Sequence, residues 1–185
     1  MGQYYHVAFK NANGEVIVNG RSVEGVGYIM AKLLEHGYVK NPLCMAVAKG
    51  LYDGDIKRLM WVGDYADDDV SSVTNGEVKY DDVWGDKEHT HEFKAVEFDW
   101  SGKFLVNHTK KVCISLDEYL KKAKDKWGYI ICPFTILTAV GNGRGGGDYA
   151  GECESLVGTW AWDEIGILDS APDGYENTLP LFIER

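Results

Sequence analysis

The sequence predicts a single α+β domain over residues 1–185, with a mostly antiparallel sheet of about eight strands and three short helices. A chain of 185 residues with 45% apolar side chains is long enough to bury one hydrophobic core. The 22 glycines and only 4 prolines favour many tight turns between short strands. The strand and helix patterns are grouped unevenly, which differs from the regular alternation of a parallel α/β fold.

The first half of the chain predicts a hairpin, two helices and a buried strand. Asn13-Gly14 is a common hairpin turn and lies between two patterns rich in β-forming residues. Ser22 is a typical N-cap before apolar residues at helical spacing, and Asn41-Pro42 combines a cap with a first-turn proline. The predicted elements are strands 2–10 and 15–18, helices from Ser22 to Gly37 and from Asn41 to Gly50, strand 59–62, and a polar excursion with little regular structure at 70–92.

The second half predicts mainly strands, with one helix between them. Ser115 and Glu118 form a capping box at the start of that helix, and Gly128 ends it, with Trp127 in its apolar stripe. The apolar run from Tyr129 to Val140 predicts a buried strand with Pro133 at a bulge or an edge. The predicted strands are 93–100, 104–107, 112–114, 129–140, 156–168 and 178–184.

Charge and composition restrict the classes of partner. The net charge is −10 and the pI is about 4.9, so phosphate backbones are repelled and nucleic acid is not an expected partner. A basic protein is electrostatically easier to bind, although an acidic surface also serves solubility alone. No apolar run reaches 18 residues and no signal peptide is visible, so we expect a cytoplasmic protein without a membrane partner. The four cysteines form no C-x-x-C motif, and we expect reduced thiols.

The segment from Gly141 to Tyr149, called the glycine loop below, departs furthest from ordinary composition because it holds five glycines. It matches G-x-G-x-x-G formally, but no helical pattern follows to hold a pyrophosphate, so dinucleotide binding is excluded. The glycines would instead let backbone amides converge into an anion-binding nest, with Arg144 as a guanidinium fork. The predicted ligand-binding residues here are Asn142, Gly143, Arg144, Gly145, Asp148 and Tyr149. The alternative is a flexible surface loop.

Two other segments are candidates for the same site. Val62 to Asp69 resembles Val157 to Glu164 in sequence. The similarity is either a coincidence or predicts two similar β-corners, which come from a duplicated half of the chain or line one cleft. Asp64, Tyr65 and Trp160 are the predicted binding residues of these segments, with the aromatic rings either stacking on a ligand or lying in the core. We predict no metal site, although the acids of 64–69 and the pair His89 and His91 leave one open.

Several segments together resemble a family of uncharacterised bacterial and phage-encoded proteins. These segments are Met1-Gly2-Gln3-Tyr4-Tyr5, Gly63-Asp64-Tyr65-Ala66-Asp67, Asn107-His108-Thr109-Lys110-Lys111, Val157-Gly158-Thr159-Trp160-Ala161 and the glycine loop. The family has no established activity, so the resemblance implies no catalytic role. It implies a prokaryotic cytosolic setting, on a mobile element such as a phage.

From these observations we expect a non-catalytic binder of an anionic, nucleotide-like small molecule, with no cofactor. A phage protein that sequesters a host signalling nucleotide, and so acts against host defence, would have this property. Two alternatives stay open. One is an acidic, immunity-type inhibitor of a basic partner protein. The other is a carboxylate- or metal-dependent hydrolase that uses Asp64, Asp67 and His89 or His91. The oligomeric state is not predicted.

Overall fold

The computed structural model describes residues 2–28, 31–85 and 91–183, which form an α+β arrangement with two sheets. The strands are β1 (Tyr5–Asn11), β2 (Val16–Val23), β3 (Gly27–Tyr28), β4 (Ile56–Gly63), β5 (His91–Phe93), β6 (Phe104–Asn107), β7 (Val112–Ser115), β8 (Ala139–Val140), β9 (Ile165–Leu168) and β10 (Glu176–Asn177). The helices are α1 (Leu33–His36), α2 (Pro42–Asp53), α3 (Asp69–Val73), α4 (Tyr80–Trp84), α5 (Leu116–Lys122) and α6 (Pro133–Leu137), with a 3-10 turn at Glu154–Leu156.

The strands of the described residues divide between a six-stranded and a four-stranded sheet. The larger sheet has the order β3-β2-β1-β4-β8, and β5 also pairs with β2; the smaller has the order β10-β7-β6-β9. Five of these eight pairings are antiparallel, and the β2–β5, β4–β8 and β7–β10 pairs are parallel. The α+β class is therefore confirmed, whereas the prediction of one sheet with about eight strands and three helices is wrong, since the described residues form ten strands and six helices.

The central strands of the larger sheet are covered on both faces. Val7 and Trp61 face a large core that includes side chains of the smaller sheet, whereas the adjacent Ala8 and Met60 face a second cluster. Because successive side chains of a strand point to opposite faces, a strand buried on both faces needs continuous apolar residues. This requirement explains why β4 is continuously apolar from Leu59 to Val62, the part that is buried.

Two predicted helices are confirmed, and both begin at the predicted caps. The Asn41 side chain accepts a hydrogen bond from the Leu43 amide, and the Ser115 hydroxyl accepts one from the Glu118 amide. The first of these helices, α2, continues past Gly50 and ends at Gly54, which has a φ of 79°. The second, α5, ends at Lys122, so its predicted extension to Gly128 is wrong.

Two other predictions had the wrong kind of element. In place of a helix after Ser22, β2 continues to Val23 and turns into β3, because Gly25 and Gly27 adopt φ values of 75° and 88° that a right-handed helix does not allow. In place of a strand over 129–140, Pro133 begins the buried helix α6 and only Ala139–Val140 is a strand. An apolar run alone does not distinguish a buried strand from a buried helix.

The remaining differences concern length. The predicted strand 93–100 is observed only at Phe93, the last residue of β5, and the predicted strand 156–168 only at Ile165–Leu168. The predicted strand 178–184 is not observed among the described residues, and β10 lies just before it. The excursion at 70–92 contains α4 and most of α3, and residues 86–90 within it lie outside the described residues.

No helix among the described residues combines the length and the apolar character that crossing a bilayer requires. All four cysteines are free thiols, and Cys44, Cys113 and Cys132 are buried as small core residues.

Candidate functional site

The glycine loop meets the 63–69 turn because of the sheet topology. The short strand β8 pairs in parallel with β4, through Trp61 with Ala139 and Val62 with Val140. Parallel neighbours end at the same edge of a sheet, so the segments that follow Gly63 and Val140 emerge side by side. This pairing brings together two of the three segments that the sequence proposed for the site.

The glycine loop is fixed by contacts with distant parts of the chain. Its Gly146 carbonyl accepts a hydrogen bond from the Gln3 amide, and its Gly147 carbonyl accepts one from the Leu33 amide at 3.2 Å. Within the loop, Asn142 closes the chain on Tyr149: its Nδ2 donates to the Tyr149 carbonyl at 3.1 Å and its Oδ1 accepts from the Tyr149 amide at 2.7 Å. These bonds give the loop a defined conformation.

The predicted nest of amides forms, and its anion is the chain's own Asp148. The Asp148 Oδ2 accepts hydrogen bonds from the Gly143 amide at 2.9 Å and from the Gly145 amide at 2.8 Å. Its Oδ1 accepts a third from the hydroxyl of the buried Tyr5 at 2.8 Å. Burial, reinforced by Asp148, raises the pKa of Tyr5 above its ordinary value, so the hydroxyl stays a donor at neutral pH.

Arg144 is also engaged by the chain itself. Its Nη1 donates to the Tyr65 carbonyl at 3.0 Å and lies 3.2 Å from the Asp67 carboxylate, while its Nη2 lies 3.0 Å from Asp69. Two carboxylates therefore surround one guanidinium, and the local charge is negative. Since all three side chains are largely exposed, these ion pairs are weak and screened by salt.

Gln3, which sequence reasoning missed, joins the loop to the 63–69 turn. Its side chain is fully buried, and its Nε2 donates to the Gly141 carbonyl at 3.0 Å. A Cβ on Gly63 would lie 1.9 Å from that nitrogen, and one on Gly141 would lie 3.0 Å from it. The two glycines are therefore required to make room for Gln3. A glutamine in an apparent strand near the start of the chain gives no signal of this role.

The two segments that resemble each other in sequence have similar turns. The Ala66 amide donates to the Gly63 carbonyl at 3.0 Å, and the Ala161 amide donates to the Gly158 carbonyl at 3.1 Å. The next residue in each segment has a positive φ, 44° at Asp67 and 62° at Trp162. The two segments thus share this hydrogen bond and the positive φ that follows it, but they differ at the first glycine, where φ is positive at Gly158 and not at Gly63.

All three candidate segments contribute to one concavity of about 430 Å³, called the acidic cleft below. It lies between α3, the strand β8 with the start of the glycine loop, and the segment that contains Glu154 and Gly158. Its charged lining consists of the carboxylates of Asp69 and Glu154, and among the described residues no lysine or arginine lines it. The cleft is therefore suited to a positively charged group.

Not every predicted binding residue reaches this cleft. Trp160 and Tyr149 are 5% and 1% exposed and belong to the hydrophobic core, so stacking on a ligand would require either ring to leave it. The Tyr149 ring packs edge-on against Phe182 at 5.7 Å. The Tyr65 ring packs beside Gly145, where an added Cβ would lie 3.3 Å from it. Of the predicted residues, Asn142 lines the cleft itself.

Asp64 belongs to the 63–69 turn and lies close to the hydrogen bonds that Asp148 accepts. Its carboxylate accepts a hydrogen bond from the Tyr4 amide at 3.2 Å, and its carbonyl accepts one from the Tyr80 hydroxyl at 2.6 Å. Burial raises the pKa of Asp64, and the negative charge of Asp148 adds to the rise. Asp64 is therefore an acid whose ionised form is disfavoured by its surroundings.

The residues proposed for a hydrolase are not brought together. The Asp64 carboxylate accepts a hydrogen bond from the Tyr4 amide, whereas the His91 ring lies 5.3 Å from the ring of Phe9. Phe9 comes five residues after Tyr4 in the chain. Five residues of strand extend about 16 Å. His89 lies outside the described residues, and among the described residues no group of three His, Cys, Asp or Glu side chains is arranged to hold a metal.

A larger cavity of about 630 Å³ lies elsewhere, between α2 and β5. Phe9, His91 and Phe93 form part of its wall, and burial lowers the pKa of His91. None of the predicted binding residues lines this cavity.

No protein-family model, curated protein or solved structure matches this chain. The class of protein that the fold and the cleft define is an α+β protein with an acidic surface concavity.

Proposed function

We propose that this protein is a non-catalytic binding protein whose acidic cleft accepts a basic segment of a partner protein. The observation that supports this proposal most strongly is the charge of the cleft, whose charged lining is Asp69 and Glu154. Arg144 contacts Asp69 but not Glu154, and no lysine or arginine of the described residues lines the cleft itself. The net charge of −10 extends the negative potential beyond the cleft and would steer a basic partner toward it.

The internal pairing of the cationic groups supports the same choice. The amides of Gly143 and Gly145 are already directed at Asp148, and Arg144 already contacts Asp67 and Asp69. An incoming anion would have to displace these carboxylates, whereas an incoming cation meets carboxylates that are exposed to solvent. The electrostatic cost of binding is therefore lower for a cation.

Exposed apolar side chains favour a protein over a small amine as the bound molecule. Val73 lines the cleft and is 37% exposed, and Leu156, between the lining residues Glu154 and Val157, is 36% exposed. Apolar side chains next to charged ones are typical of the contact surfaces of protein partners. A segment with lysine or arginine beside leucine or valine would match both features.

Titration of a fluorescent peptide of alternating lysine and leucine tests the proposal. We expect binding that weakens as salt is added, because the attraction is largely electrostatic. Glu154→Gln and Asp69→Asn should each reduce affinity about two- to fivefold, the range for one exposed ion pair. Leu156→Ala should reduce it further without changing the salt dependence.

The matched control is Glu118→Gln, which removes one exposed carboxylate from α5, away from the cleft. Equal affinities of the wild type, Glu118→Gln and Glu154→Gln would mean that the peptide is attracted by net charge alone, and the proposed site in the cleft would be rejected.

A second candidate is the binding of an anionic, nucleotide-like small molecule at the glycine loop. The observation that favours it is the convergence of the Gly143 and Gly145 amides on a carboxylate, which is a geometry suited to anions. A ligand phosphate would take the place of Asp148, and Arg144 would turn from Asp67 toward it.

Thermal denaturation with a panel of nucleotides separates the two candidates. A bound nucleotide should raise the melting temperature, and Arg144→Ala should abolish the rise. A panel that leaves the melting temperature unchanged would reject the second candidate and would leave the basic-peptide experiment unaffected.

A further inference from the structure

A second surface, separate from the acidic cleft, displays aromatic side chains to solvent. Trp127 is 73% exposed and Tyr129 is 55% exposed, and Tyr129 stacks on Tyr38 with a centroid distance of 4.8 Å. These three residues, called the aromatic patch, line a concavity of about 460 Å³ that shares no residue with the cleft. Large aromatic side chains are usually buried, so their clustering at the surface indicates a contact site.

The turn that carries the patch is held by its own hydrogen bonds. The Asp125 Oδ1 accepts from the Trp127 amide at 2.8 Å and from the Tyr129 amide at 2.7 Å, and the Asp125 amide donates to the Tyr129 carbonyl at 2.9 Å. The following residue, Ile130, accepts from the Val39 amide at 3.0 Å, which ties the turn to the segment of Tyr38. A preorganised turn loses little conformational entropy when it binds.

The charges around the patch are opposite in sign to the charge of the whole protein. Lys40 lines the concavity, and Lys126 lies 5.6 Å from the centroid of the Trp127 ring. Glu35, the carboxylate that lines the same concavity, is paired with Lys32 at 2.8 Å. Asp125 adds one carboxylate, which is bonded to the backbone of the turn, so Lys40 and Lys126 leave a small excess of positive charge at the patch on a protein with a net charge of −10.

We propose that the aromatic patch binds an acidic, apolar segment of a partner protein. Trp127 supplies the large contact area typical of an interface hot spot, and Lys40 and Lys126 complement carboxylates at its rim. A nucleic acid could also stack on these rings, but the net charge of −10 repels a long polyanion, so a short acidic segment of a protein is favoured. The patch and the acidic cleft would then contact segments of opposite charge.

Selection from a random peptide display library tests this proposal. The wild-type protein is the target, and Trp127→Ala is kept out of the selection so that it can be used in the binding measurements that follow. We expect enrichment of peptides in which aspartate or glutamate flanks leucine, phenylalanine or tryptophan. A synthetic enriched peptide should bind Trp127→Ala at least about tenfold more weakly, the loss expected for a hot spot. It should also bind Lys40→Glu and Lys126→Glu more weakly.

Val26→Ala is the matched control, because Val26 is 53% exposed and lies outside the patch. It should bind the peptide as the wild type does, and circular dichroism should show that Trp127→Ala remains folded. Enrichment of basic or neutral peptides, no enrichment, or equal binding by Trp127→Ala would overturn the proposal. Tighter binding of oligothymidylate than of any selected peptide would assign the patch to nucleic acid, and self-association lost in Trp127→Ala would assign it to a second copy of this chain.

Discussion

Replacing Asp148 tests whether the glycine loop depends on an internal anion. In Asp148→Ala, the amides of Gly143 and Gly145 and the hydroxyl of Tyr5 lose their common acceptor. Water can replace the acceptor for the amides, because Gly143 is exposed and Gly145 is half-buried. It cannot readily do so for Tyr5, which is fully buried.

The expected loss is dominated by that hydroxyl. An unsatisfied buried donor costs about 1–3 kcal/mol, and the partly rehydrated amides add about 1 kcal/mol together. We therefore expect Asp148→Ala to lower the free energy of unfolding by about 2–4 kcal/mol. For a domain of this size the melting temperature would fall by about 5–15 °C.

Denaturant and thermal unfolding of four proteins measures these losses of stability. These are the wild type, Asp148→Ala, Tyr5→Phe and the double variant. Tyr5→Phe removes the donor and leaves Asp148 its two amides, so it should cost only about 0.5–1.5 kcal/mol. In the double variant no buried hydroxyl is left, so its loss of unfolding free energy should be about 1 kcal/mol smaller than the sum of the two single losses. A loss below about 0.5 kcal/mol in Asp148→Ala, within the range of an ordinary surface substitution, would refute the role of Asp148.

Three further predictions concern the same region and its buried acids. Gly158→Ala should lower the free energy of unfolding by about 3 kcal/mol, because φ is +73° and the new Cβ would lie 2.5 Å from the Ala139 carbonyl oxygen. Gly143→Ala, where φ is +90° but the space is open, should lower it by about 1 kcal/mol in the same denaturant assay. Equal losses in the two variants would contradict the steric argument. Asp64 has a raised pKa, so the stability linked to its protonated form is present below the unfolded pKa of about 4 and is lost as pH rises through the folded pKa. Asp64→Asn should therefore gain stability relative to the wild type as pH rises above about 4, and a difference that stays constant with pH in chemical denaturation would be the contrary result. Burial raises the pKa of Tyr5 and of Tyr119, so the stability that they contribute is intact below about pH 10 and is lost as pH rises further. The tyrosinate absorbance of Tyr5, measured as the difference between the wild type and Tyr5→Phe, should appear together with the loss of near-ultraviolet circular dichroism rather than before it.

The sequence predicts local signals better than pairings between distant segments. The caps at Asn41 and Ser115 identify their helices because the capping bond involves neighbouring residues only. The repeated turns at Gly63 and Gly158 are also local, and the sequence similarity corresponds to the hydrogen bond and the following positive φ that both turns have. By contrast, the apolar run that contains Pro133 does not reveal whether it is a strand or a helix, since both are buried.

The composition of the site depends on contacts that no local pattern contains. The parallel pairing of β4 with β8 brings the glycine loop to the 63–69 turn, and parallel pairing is established by the packing of the whole domain. The burial of Trp160 follows from the bond between its amide and the Leu137 carbonyl at 2.8 Å, which draws its segment into the core. A sequence rich in aromatic residues gives no indication of which rings remain exposed. Trp127, predicted in a buried helical stripe, is the most exposed of the large apolar side chains described.

The occupation of the nest by Asp148 changes what the glycine loop indicates about function. Convergent amides and a nearby arginine are the features of an anion site, and here each is satisfied within the chain. Asp148 lies in the same loop as the amides that it accepts from, so its effective concentration is high and a free anion must compete with it. The loop therefore serves first to shape one wall of the acidic cleft. Binding is then expected at exposed charges that have no salt bridge within the described part of the chain, at Glu154 in the cleft and at Lys40 and Lys126 beside the aromatic patch.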